Sequence, residues 1–409
     1  MTPVLGGSYR TRAVDEIDVI RVPSLRGQLR FWWRALYSPR WPSPADLHTQ
    51  ESAIWGRAAD ETGGRSGVKT RVEIESTSSV VESDPMKAPG TYALWPARAP
   101  RGEGNHTPRY EPGIVFKLTI EVPAAYANEV RNALRAWILF GGYGSRTRRG
   151  LGTLTVVGDS GPWLPLAATR EALAECFGQD VFTSTGQDRC DTARLSGAAL
   201  HVGAAAQQAE AAWTEALGWL SEFRQGVKGP DRERAREPGD GKIPANRPSV
   251  SNWPEADKLR RLAERETSHQ PRYNDDPAWP RAGFGLPILG RFQTNGRHGE
   301  RYDEPSPFEL TWRTSGGESH ARLASPLIVK ALPLQNGTFV PCALWLDRAY
   351  PRMGEVVEKT LGDRSAAPFD RLLGNGDTAL FSALDGKSSL RQAFLDWLHA
   401  TYKTEIVAA

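Results

Sequence analysis

Cysteine is scarce in this sequence, and a long hydrophobic run is missing. The 409 residues include three cysteines, Cys176, Cys190 and Cys342, which are far apart and form no CxxC pair. This spacing argues against a disulfide framework and a zinc site and favours a reducing compartment. Nowhere do ~18 apolar residues run together, and the N-terminus lacks an apolar stretch of signal-peptide length. We therefore expect a cytoplasmic protein with no membrane partner.

An excess of one charge is also missing, since 51 Lys and Arg face 48 Asp and Glu for a net charge of +3. Any basic surface must therefore be local. Two nucleotide-cofactor motifs are absent as well. The glycine-rich stretch "ILFGGYGSRTRRGLGTL" (138–154) contains no Lys-Ser/Thr pair of a P-loop, and it follows a helix and precedes a strand, the reverse of a dinucleotide fingerprint. We predict no cofactor.

What the sequence does contain is a mixture of strand and helix patterns in its first part. The length favours roughly two domains. The order β-α-β-β-α-β is typical of ferredoxin-like (RRM-type) domains, whose sheet leaves one face open to a ligand such as single-stranded nucleic acid. The predicted strands are 14–22, 68–76, 113–122 and 152–159, and the predicted helices are 23–37, with Ser24 as N-cap, and 124–140.

The remainder predicts a second unit of the same class with long loop insertions. Helical patterns occur at 169–177, 207–224, 256–266 and 388–402, a strand at 284–293, and a charged Gly/Pro loop at 226–249. A hairpin is expected at 324–346, because Asn336-Gly337 is a strong turn signal. The prediction is an α+β protein with two ferredoxin-like domains, 1–160 and 161–409, the second with helical insertions and a C-terminal helix.

The glycine-arginine loop that follows the second helix is the first candidate site. Glycines permit positive φ and close approach of a ligand, and guanidinium groups match phosphate geometry, while a tyrosine can stack on a base. A helix C-cap followed by a solvated basic turn is the competing interpretation. The candidate RNA-binding residues are Gly141, Gly142, Tyr143, Gly144, Arg146, Arg148, Arg149 and Gly150.

The first helix provides the second candidate site. Arg26, Arg30 and Arg34 are four residues apart and form one stripe without an acidic residue among them. Such a stripe fits phosphates or an acidic protein surface, or else it pairs with carboxylates elsewhere in the fold. Trp32 and Trp33 on this helix favour a core role over base stacking.

Several motifs together resemble the RAMP proteins of CRISPR systems, and among them the first subunits of type III-B Cmr effector complexes. They are "TPVLGG" (2–7), "PSLRGQLRFWWRA" (23–35), "FGGYGSRTRRGLGTL" (140–154), "SNWPEADKLRRL" (251–262), "FGLPI" (284–288) and "RLASPLIVK" (322–330). The resemblance implies two RRM-like domains in a ribonucleoprotein containing guide RNA, target RNA and other RAMP subunits. It implies a position at the guide's 3′ portion, a glycine-rich loop of Gly141, Gly142, Gly144, Gly150 and Gly152 with its three arginines, and target cleavage by another subunit.

The sequence contains no strong pattern of catalytic or metal-binding residues, so we predict no enzyme activity, no catalytic residue and no metal site. His298 and His106 lie in charged Gly-containing loops, and Asp275-Asp276 forms the best acidic cluster, although Asn-Asp-Asp-Pro is also ordinary turn chemistry. "VDEID" (14–18) can pair with the arginines of the first helix. Three hypotheses remain: a non-catalytic RNA-binding and assembly subunit, an endoribonuclease of the RAMP superfamily, and a pure protein-interaction cap of the complex.

Overall fold

The computed structural model describes most of the chain. The described residues are 1–10, 12–57, 64, 66–99, 104–184, 192–225, 247–248, 253–266, 269–295, 299, 301–348, 350–351, 353–377 and 381–409. Within these ranges the chain combines α-helices with several antiparallel sheets, which confirms the predicted α+β class.

The helices and strands of the described residues are numbered in chain order. The helices are α1 Val22–Tyr37, α2 Pro44–Trp55, α3 Thr91–Leu94, α4 Ala127–Phe140, α5 Arg170–Phe177, α6 Ala209–Gln225, α7 Glu255–Leu262 and α8 Leu390–Tyr402. The strands are β1 Val4–Leu5, β2 Lys69–Ser76, β3 Val80–Val81, β4 Arg109–Tyr110, β5 Val115–Glu121, β6 Arg194–Val202, β7 Arg247–Pro248, β8 His269–Gln270, β9 Ile288–Gly290, β10 Phe308–Arg313, β11 Ser319–His320, β12 Leu327–Pro333, β13 Phe339–Asp347, β14 Glu355–Glu358, β15 Ala367–Pro368 and β16 Glu405–Ala408.

The first compact unit comprises Met1–Gly218, Leu327–Arg348 and Thr404–Ala409. Its four-stranded antiparallel sheet has the order β12-β13-β6-β16, and β2 pairs separately with β5. Helices α1 and α4 pack together, α1 also contacts β2 and β6, and α4 contacts β12. The helix pair therefore lies between two sheets, and the core of this unit forms around it.

The apolar spacing of α1 and α4 explains why both helices form and what they bury. In α1, Leu25, Leu29 and Trp32 recur at three- and four-residue intervals and are all buried. In α4, Val130, Ala133 and Trp137 do the same. A helix with such a stripe gains its stability from packing that stripe against the core.

The second compact unit comprises Trp219–Pro326 and Ala349–Lys403. Its sheet has the order β11-β10-β14-β15, with β9 paired to β10. Helix α7 lies within the motif SNWPEADKLRRL (251–262) and buries four charged side chains, Glu255, Asp257, Lys258 and Arg260. Buried charges are tolerated when they are paired, and here Lys258 Nζ lies 2.7 Å from Asp377 Oδ2 and donates to the carbonyl of Asp276 at 2.6 Å.

The structure overturns two of the predicted strands. Residues 16–20 form bends, because the Asp15 carboxylate accepts hydrogen bonds from the amides of Ile17 and Asp18 and so closes a local turn, and Val22 already begins α1. Residues 152–159 form no strand either, although Gly152 N donates to Pro3 O at 2.9 Å beside β1. The N-cap of α1 is Arg21, not Ser24.

Most of the other predicted elements are present with shifted ends. Helices α1, α4, α5, α6, α7 and α8 and strands β2 and β5 match the predicted segments, and the hairpin β12–β13 turns at Asn336-Gly337. The predicted strand 284–293 shrinks to β9. Most of the predicted loop 226–249 lies outside the described residues. The two compact units are not continuous in sequence, because β6, β12, β13 and β16 are distant in the chain and pair in one sheet. The predicted domain boundary near residue 160 stays a prediction.

The buried ion pair of α7 generates a stability prediction. Lys258→Met leaves the Asp377 carboxylate buried without its partner, and breaking a buried pair in this way costs about 3–5 kcal/mol. We expect this variant to reach the midpoint of its unfolding transition at a lower urea concentration than the wild type, as measured by circular dichroism. Lys359→Met is the matched control, since its pair with Glu309 at 3.2 Å is exposed and contributes less than about 1 kcal/mol. Equal destabilisation by the two variants would contradict this assignment.

Candidate nucleic-acid interface

The glycines of the loop after α4 allow backbone and side chains to approach closely. A Cβ at Gly141 would lie 2.6 Å from both Trp137 O and Trp32 Nε1, closer than atoms pack in proteins. Gly152 has φ +63°, and a Cβ there would collide with the carbonyl of Tyr143. The glycine density is therefore required at these positions by the fold itself.

Three backbone hydrogen bonds fix the loop in the first compact unit. Tyr143 N donates to Gly152 O at 3.0 Å, Ser145 N to Leu5 O at 2.7 Å, and Gly150 N to Thr147 O at 3.0 Å. The loop is thus tied both to itself and to the N-terminal strand β1. Its amides are largely used within the fold and do not converge on one ligand as a phosphate cradle does.

A buried lysine on β12 binds the end of α4. Lys330 Nζ donates to Ile138 O at 3.0 Å and to Gly141 O at 2.8 Å, which satisfies carbonyls at the helix C-terminus, where positive charge is favoured. Its neighbour across the sheet is Cys342. Burial lowers the pKa of Lys330 to about 7 and raises the pKa of the Cys342 thiol to about 12.

Two of the predicted RNA-binding side chains face the protein interior. Tyr143 is only 2% exposed, and its hydroxyl accepts a hydrogen bond from Arg21 N at 2.8 Å, so its ring is not presented to a base. Arg149 is 8% exposed and donates to Leu327 O at 3.1 Å, which ties the loop to β12. Both side chains hold the loop in place, and their predicted contact with RNA stays a prediction.

The other two arginines of the loop are placed differently. Arg146 is exposed and has φ 59°, and Arg148 lines a cavity of about 190 Å³. The Arg148 guanidinium lies 5.4 Å from the centroid of the Phe31 ring, a cation–π contact. Burial, together with the nearby charge of Arg348, lowers the pKa of Arg148 to about 10, so it stays cationic at neutral pH.

The cavity joins α1, the end of α4, the loop and β12. Its lining consists of Gln28, Phe31, Trp32, Phe140, Gly141, Thr147, Arg148 and Ile328. Trp32 is 1% exposed, and its Nε1 has no hydrogen-bond acceptor among the described residues, which is unusual for a buried indole N–H. The lining residues include an amide, a hydroxyl and a guanidinium, whose N–H and O–H groups match a ligand rich in acceptors, such as a phosphate or a base edge.

The arginine stripe of α1 is paired inside the fold. Arg30 Nε and Arg34 Nη1 each lie 2.6 Å from Glu51 Oε1 of α2, and Arg26 Nη2 donates to Trp55 O at 2.7 Å. The guanidinium groups thus meet a buried carboxylate and the carbonyl end of α2, where cations are favoured. The interpretation that the stripe pairs with carboxylates elsewhere in the fold is the one the structure supports. The acidic residues at 14–18 are not its partners, since Asp15 lies 3.9 Å from Arg21.

The nuclease candidates are occupied by structural contacts where the chain is described. His106 Nδ1 accepts from Ala99 N at 3.1 Å. Asp276 pairs with Arg371 at 3.0 Å and accepts from Asn375 N, which agrees with turn chemistry. His298 lies outside the described residues. Across the described ranges, no group of three or more His, Cys, Asp or Glu side chains is arranged to hold a metal ion, and no helix is long and apolar enough to span a membrane.

Comparison with known proteins finds a family model that matches part of the chain. The sequence model of the RAMP superfamily matches residues 1–155, a range that includes α1, α4 and the glycine-arginine loop. We call residues 1–155 the RAMP region. All the residues that line the cavity lie within this RAMP region except Ile328 of β12.

The chain is also similar to one curated relative and to two solved structures. The chain is 29% identical over 145 residues to the CRISPR system Cmr subunit Cmr1-1 of Pyrococcus furiosus, an alignment covering 35% of this chain and 42% of the relative. The alignment thus spans less than half of that relative's length. The crystal structure of apo Cmr1 from Pyrococcus furiosus covers 100% of this chain and 96% of its own at 15% identity and a TM-score of 0.51, so the two share a fold. A chain of the cryo-EM structure of a Type III-B Cmr-beta bound to cognate target RNA and AMPPnP, in the presence of ssDNA, has 10% identity, covers 97% of both chains and has a TM-score of 0.41.

Sequence reasoning missed Gln28, Phe31 and Lys330 as residues of the site. Gln28, Phe31 and Trp32 share one face of α1 at three- and four-residue spacing, a signal that the neighbouring arginine stripe obscured. Lys330 stands in an otherwise apolar strand, and an inward-facing lysine there indicates a buried acceptor pair.

Lys330 generates a prediction on pH dependence. A lysine whose folded-state pKa lies near 7, below its unfolded value of 10.5, binds fewer protons when folded, so its contribution to stability rises with pH above 7. Between pH 7 and 8.5 this amounts to roughly 1–2 kcal/mol. Urea unfolding at the two pH values should show this rise in the wild type and lose it in Lys330→Met. The measurements stay below pH 9 because above that pH the Cys342 thiol ionises in the unfolded chain but not in the folded one. This ionisation lowers the free energy of unfolding as pH rises and would oppose the effect of Lys330. An unchanged pH dependence in the variant would contradict the assignment.

Proposed function

We propose that this chain is a non-catalytic RNA-binding and assembly subunit of a type III-B CRISPR effector complex. In this proposal it holds the 3′ portion of the guide RNA and helps engage target RNA, beside other RAMP subunits. The observation that carries it is the donor-lined cavity next to the glycine-arginine loop of the RAMP region. The curated relative, a Cmr subunit of Pyrococcus furiosus, supports the assignment to such a complex.

Electrostatics at the cavity favour a polyanion over a neutral ligand. The charge of Arg348 is close enough to add to the effect of burial in lowering the pKa of Arg148, and Arg146 is exposed on the same loop. A phosphate between such groups relieves their mutual repulsion and accepts charge-assisted hydrogen bonds. None of these groups requires a particular base, which suits a guide whose sequence varies.

We further propose that the chain contains two ferredoxin-like repeats, at residues 1–160 and 161–409. In the second, the chain order is β6-α6-β12-β13-α8-β16, and β6 lies between β13 and β16 in the sheet, which is the pattern of that fold. In the first, the order is β1-α1-β2-β5-α4, followed by residues that run beside β1 through the Gly152–Pro3 hydrogen bond. Long insertions between these elements account for the different compact units.

The endoribonuclease and the protein-interaction cap are less well supported. His106 and Asp276 make structural contacts at the candidate positions, and Arg30 and Arg34 of the stripe that suited an acidic protein surface pair with Glu51. Incubation of the purified chain with labelled RNA, with Mg²⁺ and with chelator, tests the first of these. Cleavage lost in Asp275→Asn/Asp276→Asn would overturn the non-catalytic assignment.

RNA binding at the cavity predicts a specific pattern of mutant effects. Arg148→Met preserves side-chain bulk in a buried position and removes the charge, and Arg146→Ala removes the exposed guanidinium of the same loop. We expect each to weaken binding of a labelled single-stranded RNA in fluorescence anisotropy. The slope of log affinity against log salt should become shallower by about 0.7 for each phosphate that the variant no longer neutralises.

Two comparisons make this experiment decisive. Arg71→Ala is the charge control, because Arg71 is exposed on β2 and pairs with Glu73, away from the cavity lining. Gln28→Met removes a neutral donor from the cavity, so it should weaken binding without changing the salt slope. If Arg148→Met and Arg71→Ala bind RNA equally well, the cavity is not an RNA site.

A further inference from the structure

A second surface of the first compact unit combines exposed aromatic rings with arginines. It consists of Tyr9, Arg10, Arg12, Trp95 and Arg98, which we call the arginine–aromatic surface. Trp95 is 55% exposed and Tyr9 70% exposed, although large aromatic side chains are usually highly buried. Trp95 stands in a 3-10 helix directly after α3 and far from the glycine-arginine loop in sequence.

A guanidinium accompanies each exposed ring. The Arg98 guanidinium lies 4.7 Å from the Trp95 ring centroid, and that of Arg10 lies 5.2 Å from the Tyr9 ring centroid. Arg12 joins the two segments, because it donates to Pro96 O at 3.3 Å and to Arg98 O at 3.0 Å. The rings and charges therefore form one surface and not two isolated pairs.

Among the described residues, no carboxylate neutralises the three arginines of this surface. In the part of the chain that the structure describes, none of Arg10, Arg12 and Arg98 forms an ion pair with a carboxylate. Asp15, the acidic residue nearest in sequence to Arg10 and Arg12, accepts hydrogen bonds from the amides of Ile17 and Asp18 and lies 3.9 Å from Arg21. Exposed aromatic planes beside uncompensated guanidinium groups match a ligand that alternates flat bases with negative phosphates, which is single-stranded nucleic acid.

The surface is also connected to the glycine-arginine loop. Ser145 N donates to Leu5 O, and a Cβ at Gly6 would lie 2.7 Å from Ser145 Oγ, so residues 5–6 lie against the loop. Four further residues lead to Tyr9, which a chain can place at most about 14 Å from Leu5. A single RNA strand that leaves the cavity by way of the exposed Ser145 and Arg146 can therefore reach the arginine–aromatic surface.

We propose that the arginine–aromatic surface is a base-stacking platform for single-stranded RNA, continuous with the cavity. Trp95 and Tyr9 stack on bases, while Arg10, Arg12 and Arg98 contact the intervening phosphates. The inference rests on the proposed RNA-binding function and adds a second contact site, of a different chemical kind, to it. An acidic polypeptide offers charge without flat rings and fits the surface less well.

The test separates stacking from charge with two probes. Anisotropy is measured with the full chain and a labelled uridine oligonucleotide of about 15 nucleotides, and with an abasic ribose-phosphate chain of the same length. Tyr9→Leu/Trp95→Leu should weaken binding of the uridine oligonucleotide by at least roughly five-fold, the contribution of one stacked base, and leave the abasic chain unaffected. Arg98→Gln should weaken both. Ile17→Ala is the matched control, since Ile17 is 93% exposed in the same unit and is not aromatic.

Each other result has a defined meaning. Unchanged uridine binding in Tyr9→Leu/Trp95→Leu, with weaker binding in Arg148→Met, overturns the platform and leaves the cavity standing. Equal weakening for both probes overturns stacking, as does binding of polyglutamate that depends on the two rings. If the wild type binds neither probe, both the platform and the proposed function fail. Photo-crosslinking of 5-iodouridine RNA to Tyr9 or Trp95, located by mass spectrometry, is the independent supporting measurement.

Discussion

The buried ammonium of Lys330 is the interaction on which the candidate site depends. It binds the carbonyls of Ile138 and Gly141, the latter 189 residues away in sequence, and so fixes the end of α4 against β12. Gly141 in turn lies against the indole Nε1 of Trp32, a residue that lines the cavity. A lysine inside an apolar strand needs hydrogen-bond acceptors, and the carbonyls at the end of α4 supply them. Only glycine at position 141 leaves room for the Trp32 indole beside this helix end.

This arrangement separates two roles that the sequence presents together. The loop after α4 is rich in glycine and arginine, a composition equally typical of a phosphate cradle and of a tightly packed turn. In the structure the glycines, Tyr143 and Arg149 serve the packing, whereas Arg146 and Arg148 reach solvent or the cavity. In the proposed function the ligand chemistry is therefore carried by a few side chains, and the hydrogen bonds of the loop backbone hold them in place before RNA binds, which lowers the entropic cost of binding.

Periodicity predicted the long elements of the fold well, because an amphipathic helix such as α4 or a hairpin such as β12–β13 is encoded by neighbours in the chain. Periodicity did not predict the segments whose conformation depends on tertiary contacts. The first strand is only Val4–Leu5, too short for a pattern, and the segment 14–22 is bent by the Asp15 carboxylate. Likewise, the spacing of Arg26, Arg30 and Arg34 was visible in the sequence, but their partner Glu51 lies on another helix, and no local rule identifies it.

The balanced net charge conceals an uneven distribution, and this distribution determines where a polyanion can bind. In the second compact unit several of the described buried charges neutralise one another in pairs, as Lys258 with Asp377 and Arg260 with Glu304. Such pairs present little field to solvent beyond a Debye length. In the first unit, Glu51 neutralises part of the arginine stripe, while Arg10, Arg12 and Arg98 form no ion pair among the described residues. Under the proposed function, a chain with almost no net charge can therefore attract RNA to one unit selectively, and this attraction weakens with salt only as strongly as those few arginines contact phosphates.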